Sequence, residues 1–161
     1  MMFSTKAEYG VRVMAHLART GDQAPVSLAA IAEAEGLPLA YLEHLVQRLR
    51  KAELVESRRG ARGGYSLARP ASGITMAEVV ESLEGEIAPI ECISEGTDGE
   101  LVCSRESETD EACPTKLLWT RVQGSVIRTL RDVTLDELVK PTKTTNGGST
   151  GPGRVRKKAA V

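Results

Sequence analysis

Residues 36–69 read GLPLAYLEHLVQRLRKAELVESRRGARGGYSLAR, and this stretch decides the fold. Leu39, Leu42, Leu45, Val46 and Leu49 recur at spacings that place them on one face of a helix. Pro38 suits the first turn, where its missing N–H costs nothing. Tyr41, His44, Gln47, Arg48 and Lys51 take the other positions, so the outward face is polar and increasingly basic. VES then reads as a short strand, RRGARGG as a glycine-rich basic turn, and YSLA as the returning strand. A helix followed by a two-stranded basic hairpin predicts the second half of a winged helix-turn-helix. In that arrangement the helix enters the major groove of DNA and the hairpin rides the backbone or minor groove.

Charge points the same way. Within residues 48–62 six side chains are Arg or Lys (Arg48, Arg50, Lys51, Arg58, Arg59, Arg62) and two are Glu. The whole chain carries a formal charge of -1, so the cluster is a local patch and not a general bias. Amphipathic helices and glycine-rich hairpins also occur in domains that bind no nucleic acid. A concentration of cations is what phosphate binding needs, because each neutralised phosphate releases counterions.

Working outward, 161 residues suffice for one modest domain plus an appendage. Aromatic residues are scarce (Phe3, Tyr9, Tyr41, Tyr65 and Trp119), and so small a ring area suits a core completed by a partner subunit. No apolar run reaches membrane length, and the N-terminus is charged where a signal peptide would be apolar. A cytoplasmic protein with no membrane partner is expected.

On the N-terminal side, residues 5–19 predict a helix with Tyr9, Val13, Met14 and Leu17 as its apolar stripe. Ser27 caps a second helix that buries Leu28, Ile31 and Ala32, and Gly36 ends it at the joint before the reading helix. On the C-terminal side, Thr75-Met-Ala-Glu78 forms a capping box, with Ile74 and Val79 as a hydrophobic staple, starting a helix of about ten residues that ends near Gly85. Thr134 and Glu137 repeat that box ahead of a short final helix. Between them, residues 114–131 predict a long helix striped by Leu118, Val122, Val126 and Leu130, with Trp119 beside the stripe. This helix is expected to pack on its own domain and on its twin in a homodimer, matching a palindromic double-stranded DNA site.

The fold class is therefore mainly α with a small β-hairpin. Residues 1–85 are assigned to the winged helix-turn-helix with its following helix, 86–113 to a cysteine-bearing loop, and 114–140 to the dimerisation helix and short C-terminal helix. Residues 141–161, rich in Gly, Thr and basic side chains, read as a disordered basic tail.

Cys92, Cys103 and Cys113 are separated by ten and nine residues, in a polar stretch with eight acidic side chains and no visible helix or strand period. An odd number of thiols in a reducing compartment suits a metal or redox role better than a disulfide frame. A loop this long also needs something to hold it, and three thiols on a metal centre would do so. The tight knuckle spacing usual for structural zinc is missing, whereas iron–sulfur clusters accept wider spacings. The fourth ligand is open: His16 and His44 read as helix-surface residues, and Glu91, Asp110 and Glu111 are acidic candidates. Three thiols without metal remain the alternative.

Several pieces now resemble a known family. FSTKAEYGVRVM, the 36–69 stretch, GITMAEVVESLEG, the three cysteines, CPTKLLW and VTLDELV together resemble the IscR- and NsrR-type winged-helix transcriptional regulators (the Rrf-two family). The resemblance covers residues 2–139. It implies a homodimer crossed through the long helix and regulation of iron–sulfur assembly, iron or redox genes. It further implies an iron–sulfur cluster held by Cys92, Cys103 and Cys113, [2Fe–2S] in preference to [4Fe–4S]. The cysteine stretch is longer than in IscR-type members. Those members carry a histidine three residues after the third cysteine, where this chain has Lys116, a poor ligand while protonated. NsrR-type members use an acidic residue near the start of the first helix, donated by the other subunit, and Glu8 stands at that point.

For DNA contact the expected residues are Tyr41, His44, Gln47 and Arg48 from the helix and Arg59 and Arg62 from the wing. Ser4 and Lys6 are placed near phosphates at the first helix's N-terminus. The resemblance adds Ala40 and Glu43, the latter able to accept a bond from a cytosine amine. No phosphate-binding glycine loop or nucleophile–histidine arrangement is present, so no enzyme is expected; the expected function is a cluster-bearing repressor, with a thiol redox protein (though no CxxC pair is present) or a cluster-free or zinc-bound winged-helix regulator as the alternatives.

Overall fold

The computed structural model describes residues 3–21, 25–60, 62–87, 91–98, 100–109 and 112–140. The tail at 141–161 and the candidates Asp110 and Glu111 lie outside the described residues. Mainly helical as expected, the chain runs α1 (Thr5–Thr20), α2 (Leu28–Glu35), α3 (Leu39–Lys51), β1 (Val55–Arg58), β2 (Gly64–Leu67) and α4 (Met76–Glu84). It continues through β3 (Ile93–Glu95), β4 (Leu101–Cys103), α5 (Ser104–Thr109), α6 (Lys116–Asp132) and α7 (Leu135–Val139).

The caps form as their residues dictate. Ser27 Oγ accepts from the Ala30 N–H at 3.2 Å, and Gly36 closes α2 in the left-handed conformation. Both capping boxes are complete, Thr75 with Glu78 and Thr134 with Glu137, and each satisfies helix-start N–H groups that have no partner within the helix. The staple residues Ile74 and Val79 are fully buried.

One core gathers α1, α2, α3, α4 and β1: Val13, Met14, Leu17, Ile31, Leu42, Leu45, Leu49, Val55 and Val79 pack together. Leu39 departs from the expected stripe and is 42% exposed, because α3 begins at that residue with Pro38 as its N-cap, and Leu37 supplies the buried side chain instead. Gly10 lets α1 and α4 approach closely, since a Cβ there would lie 2.0 Å from Leu83 Cδ1.

The C-terminal end returns to this core. Leu135 is buried within it, Met76 N donates to Val133 O at 2.9 Å, and Leu135 N donates to Ile74 O at 2.8 Å. On α6 the predicted stripe divides in two. Val126 and Leu130 pack within the chain against a smaller cluster of Ala7, Val80 and Ile87, while Leu117 and Leu118 are 63% and 56% exposed.

Residues 91–113, expected to lack regular structure, contain a second hairpin and a short helix. β3 and β4 pair antiparallel, with Ile93 opposite Cys103 and Ser94 opposite Val102. Strands of three residues show less than two periods of alternation, which is why the pattern is invisible in the sequence.

Candidate nucleic-acid interface and cysteine segment

The reading surface begins with α3. Its inner face is fixed by Leu42, Leu45, Val46 and Leu49, all buried, which forces Ala40, Glu43, His44 and Gln47 outward into solvent. Tyr41 is half-buried and meets Tyr9 of α1 edge-on, at 5.7 Å between centroids and 87° between planes. The two rings floor a shallow hollow lined also by Thr5, Pro38, Ala40 and His44. Arg48 turns away from this end: its Nη1 donates to Leu83 O of α4 at 2.9 Å.

The wing pairs Val55 with Leu67 through Arg58 with Gly64. The free edge of β2 is anchored by Val26, which exchanges backbone bonds with Tyr65 at 2.8 and 2.9 Å. Gly64 is required at that anchor, since a Cβ would come within 2.5 Å of Val26 O. Arg59 and Arg62 are exposed at the wing's end, beside the turn closed by Gly63 N donating to Gly60 O at 2.9 Å. Arg50 bonds Ser57 Oγ at 3.3 Å, tying the end of α3 to the wing.

At the start of α1, Ser4 caps the helix and donates its hydroxyl to Glu84. Ser4 N and Ala7 N donate to the same carboxylate, each at 3.2 Å, and Lys6 pairs with it at 3.5 Å. Burial pushes the Glu84 carboxyl up, but the Ser4 hydroxyl and amide, Lys6 and the Ala7 N–H together hold it below its ordinary range. Leu83 and Glu84 thus join α4 to both α3 and α1. A contact across eighty residues leaves no local pattern in the sequence, so nothing there marks Glu84. His16 bonds Glu35 at 3.0 Å, a satisfied helix histidine as expected. Glu35, held low first by His16 and also by Arg19 and Arg12, fastens α1 to the end of α2.

The cysteine segment lies beyond α4. Cys103 is buried opposite Ile93, and Ser104 N donates to Cys92 O at 2.9 Å. Cys113 stands just ahead of α6. Its Sγ lies 3.4 Å from Thr115 Oγ1. The thiol is held below its ordinary range first by that hydroxyl, then by the Thr115 N–H, with Cys103 and the Lys116 N–H adding and burial opposing. Lys116 pairs with Glu106, which raises its affinity for a proton and keeps it an ammonium, unsuited to bind metal. Cys113 N also donates to Glu106, at 3.1 Å.

Among the described residues no three His, Cys, Asp or Glu side chains gather as a metal-holding group, so Cys92, Cys103 and Cys113 do not form a triad within one chain. Glu8 is exposed on α1. As folded in one chain, the described donors are not gathered around one point.

Residues 3–141 match the family model for Rrf2, described as an iron-dependent transcriptional regulator. The chain belongs to the Rrf2 family. It is 36% identical over 140 residues to protein rrf2 of Nitratidesulfovibrio vulgaris, covering 87% of this chain and 88% of that one. It is 37% identical over 142 residues to the transcriptional regulator CymR of Bacillus subtilis, covering 88% and 92%. Among solved structures, CymR, titled the global cysteine regulator of B. subtilis, superposes with a TM-score of 0.72 at 36% identity, over 86% of this chain and 96% of that one. T. potens IscR superposes with a TM-score of 0.70 at 37% identity, over 87% of each chain. Like these Rrf2-family proteins, the chain is a DNA-binding transcriptional regulator and not an enzyme. No helix among the described residues is long and apolar enough to cross a membrane.

Proposed function

We propose that this Rrf2-family chain binds palindromic operator DNA as a homodimer, with α3 in the major groove and the wing on the backbone. The observation that carries this reading is the outward face of α3: Ala40, Glu43, His44 and Gln47 stand exposed beside a wing bearing Arg59 and Arg62. Glu43 and Gln47 supply base-edge chemistry and the arginines supply phosphate contacts. Tyr41 and Arg48, each engaged within the chain, act by setting how α3 is presented. Ser4 and Lys6, tied to Glu84, place the α1 N-terminus beside the reading helix. The exposed Leu118 and the half-buried Trp119 and Val122 of α6 supply the two-fold contact, continued by Val126 and Leu130 at their intrachain seam. Selecting duplexes from a random pool with the purified protein tests this directly: two inverted half-sites are expected. Enrichment of single, unpaired half-sites by a protein that sediments as a monomer would sink it.

For the signal, a cluster-free regulator is favoured because no metal-holding group gathers around Cys92, Cys103 and Cys113 among the described residues. The second reading is an iron–sulfur cluster, [2Fe–2S] before [4Fe–4S], on Cys92, Cys103, Cys113 and Glu8 of the partner subunit. The family's description as iron-dependent favours it. Iron and acid-labile sulfide per subunit, measured on protein purified without oxygen, decide between them. Neither element is expected on the first reading; equal amounts of both, with visible absorption bands, establish the second.

A further inference from the structure

We infer that the hollow between α1 and α3 is a thymine-selecting site, taking the 5-methyl group of one thymine in each operator half-site. The inference deepens the operator reading above and rests on it.

Two helices build the hollow. Tyr9 of α1 and Tyr41 of α3 form its floor, meeting edge-on at 5.7 Å between centroids. Both rings are partly buried and pack on the main core, so the floor is set before any ligand arrives. Pro38 and Ala40 add further carbon, and Thr5 and His44 complete the lining. Pro38 is held in place as well, since its carbonyl accepts from Tyr41 N and Leu42 N, each at 3.1 Å.

Placement decides the occupant. Ala40 and His44 lie one turn apart on α3, and both are exposed. They share the outward face with Glu43 and Gln47, so the hollow is continuous with the surface that reads DNA. Glu43, His44 and Gln47 carry hydrogen-bonding groups, whereas the hollow beside them is walled mostly by carbon. Base edges in the major groove present hydrogen-bond donors and acceptors with one apolar exception, the 5-methyl group of thymine. A carbon-walled hollow opening on that groove has this group as its match. Being shallow, it admits the base edge with the methyl group leading. Cytosine carries a hydrogen at the same ring position and leaves the walls in water.

Since the fold sets floor and walls, seating the methyl group orders little else, and its burial appears in affinity. Sequence is then read in two ways side by side, by hydrogen bonds at Glu43 and Gln47 and by shape at the hollow. The assignment gives α1 a part in discrimination, through Thr5 and Tyr9.

The full-length protein is titrated against the duplex it selects from a random pool, each thymine being replaced in turn by deoxyuridine, which removes only the 5-methyl group. At one thymine per half-site affinity is expected to fall about fourfold, the effect of returning one methyl group to water, and at the others by less than about twofold. In Ala40→Leu, whose longer side chain fills the hollow, binding to the thymine duplex weakens and the deoxyuridine penalty at that position disappears. Leucine suits an exposed helix position, so the melting temperature stays unchanged. Thr5→Leu fills the hollow from α1 and should erase the same penalty without touching the reading helix. A penalty at no thymine, or one that persists in both variants, overturns the thymine site and leaves the operator reading intact. DNA-free variants that sediment as monomers where wild type is a dimer overturn it too, by giving the hollow to a second copy of the chain. Failure of the wild type to select any duplex sinks the operator reading and the thymine site with it.

Discussion

Two antiparallel hairpins among the described residues differ in what they bury. The wing turns its cations outward and is held by backbone bonds to Val26, so its side chains stay available to a large external ligand. The β3–β4 hairpin does the reverse, enclosing Ile93 and Cys103 where β3 packs on α6. A hairpin's role here follows from which of its two faces carries the functional groups, since both use the same pairing.

Four measurements break or sharpen that contrast. The largest effect is expected for Ile93→Ala, which empties the space opposite Cys103 and should destabilise the cysteine hairpin by about 2–5 kcal/mol in denaturant unfolding. Operator binding by the reduced protein should survive, and its loss would show that the two hairpins are not separable. Next comes Gln123 of α6, fully buried with neither amide atom partnered among the described residues. Gln123→Leu should stabilise the chain by about 1–3 kcal/mol, and a loss of stability would mean that the amide has a partner in the assembled dimer. Arg59→Ala and Arg62→Ala should each weaken DNA binding about equally across sequences and lower the salt-dependence slope by about 1, with thermal stability unchanged. Selective loss at one base position would make that arginine a base reader.

The smallest effect concerns Glu84, which lies between the hairpins in the chain. Its carboxyl titrates below its ordinary value of 4.5 in the folded protein. It therefore stabilises the fold at pH above that value, and the contribution disappears as pH falls through the lower folded value. Glu84→Gln should flatten the acid limb of melting temperature against pH while leaving the neutral region close to wild type in shape. An unchanged acid limb would remove Glu84 from the account.

What could be read in the sequence was local. Ser27, Thr75 and Thr134 announce their helices because a cap needs one side chain and a neighbour three residues on. The wing is announced by glycines between two short apolar-bearing runs, and the inner face of α3 by its period. The rest depends on partners far apart in the chain. Nothing near Ser4 indicates Glu84, nothing near Val26 indicates Tyr65, and Cys103 gives no hint that Ile93 stands opposite it. Glu8 is a candidate by resemblance alone, and its position on α1 leaves it exposed within the chain. Leu39 illustrates the opposite error, an apolar residue at the right spacing but one turn too early to be covered.

The return of α7 to the first core has a practical consequence for modularity. Leu135 fills a place among residues from α1, α3 and α4, and Thr134 bridges Thr75. A reading head excised at residue 85 would leave that place open and strip Met76 N of its acceptor, Val133 O. Any graft of this head onto another sensor must therefore carry residues 133–140 along, supplied as a second segment or by circular permutation, because the head is discontinuous in the chain.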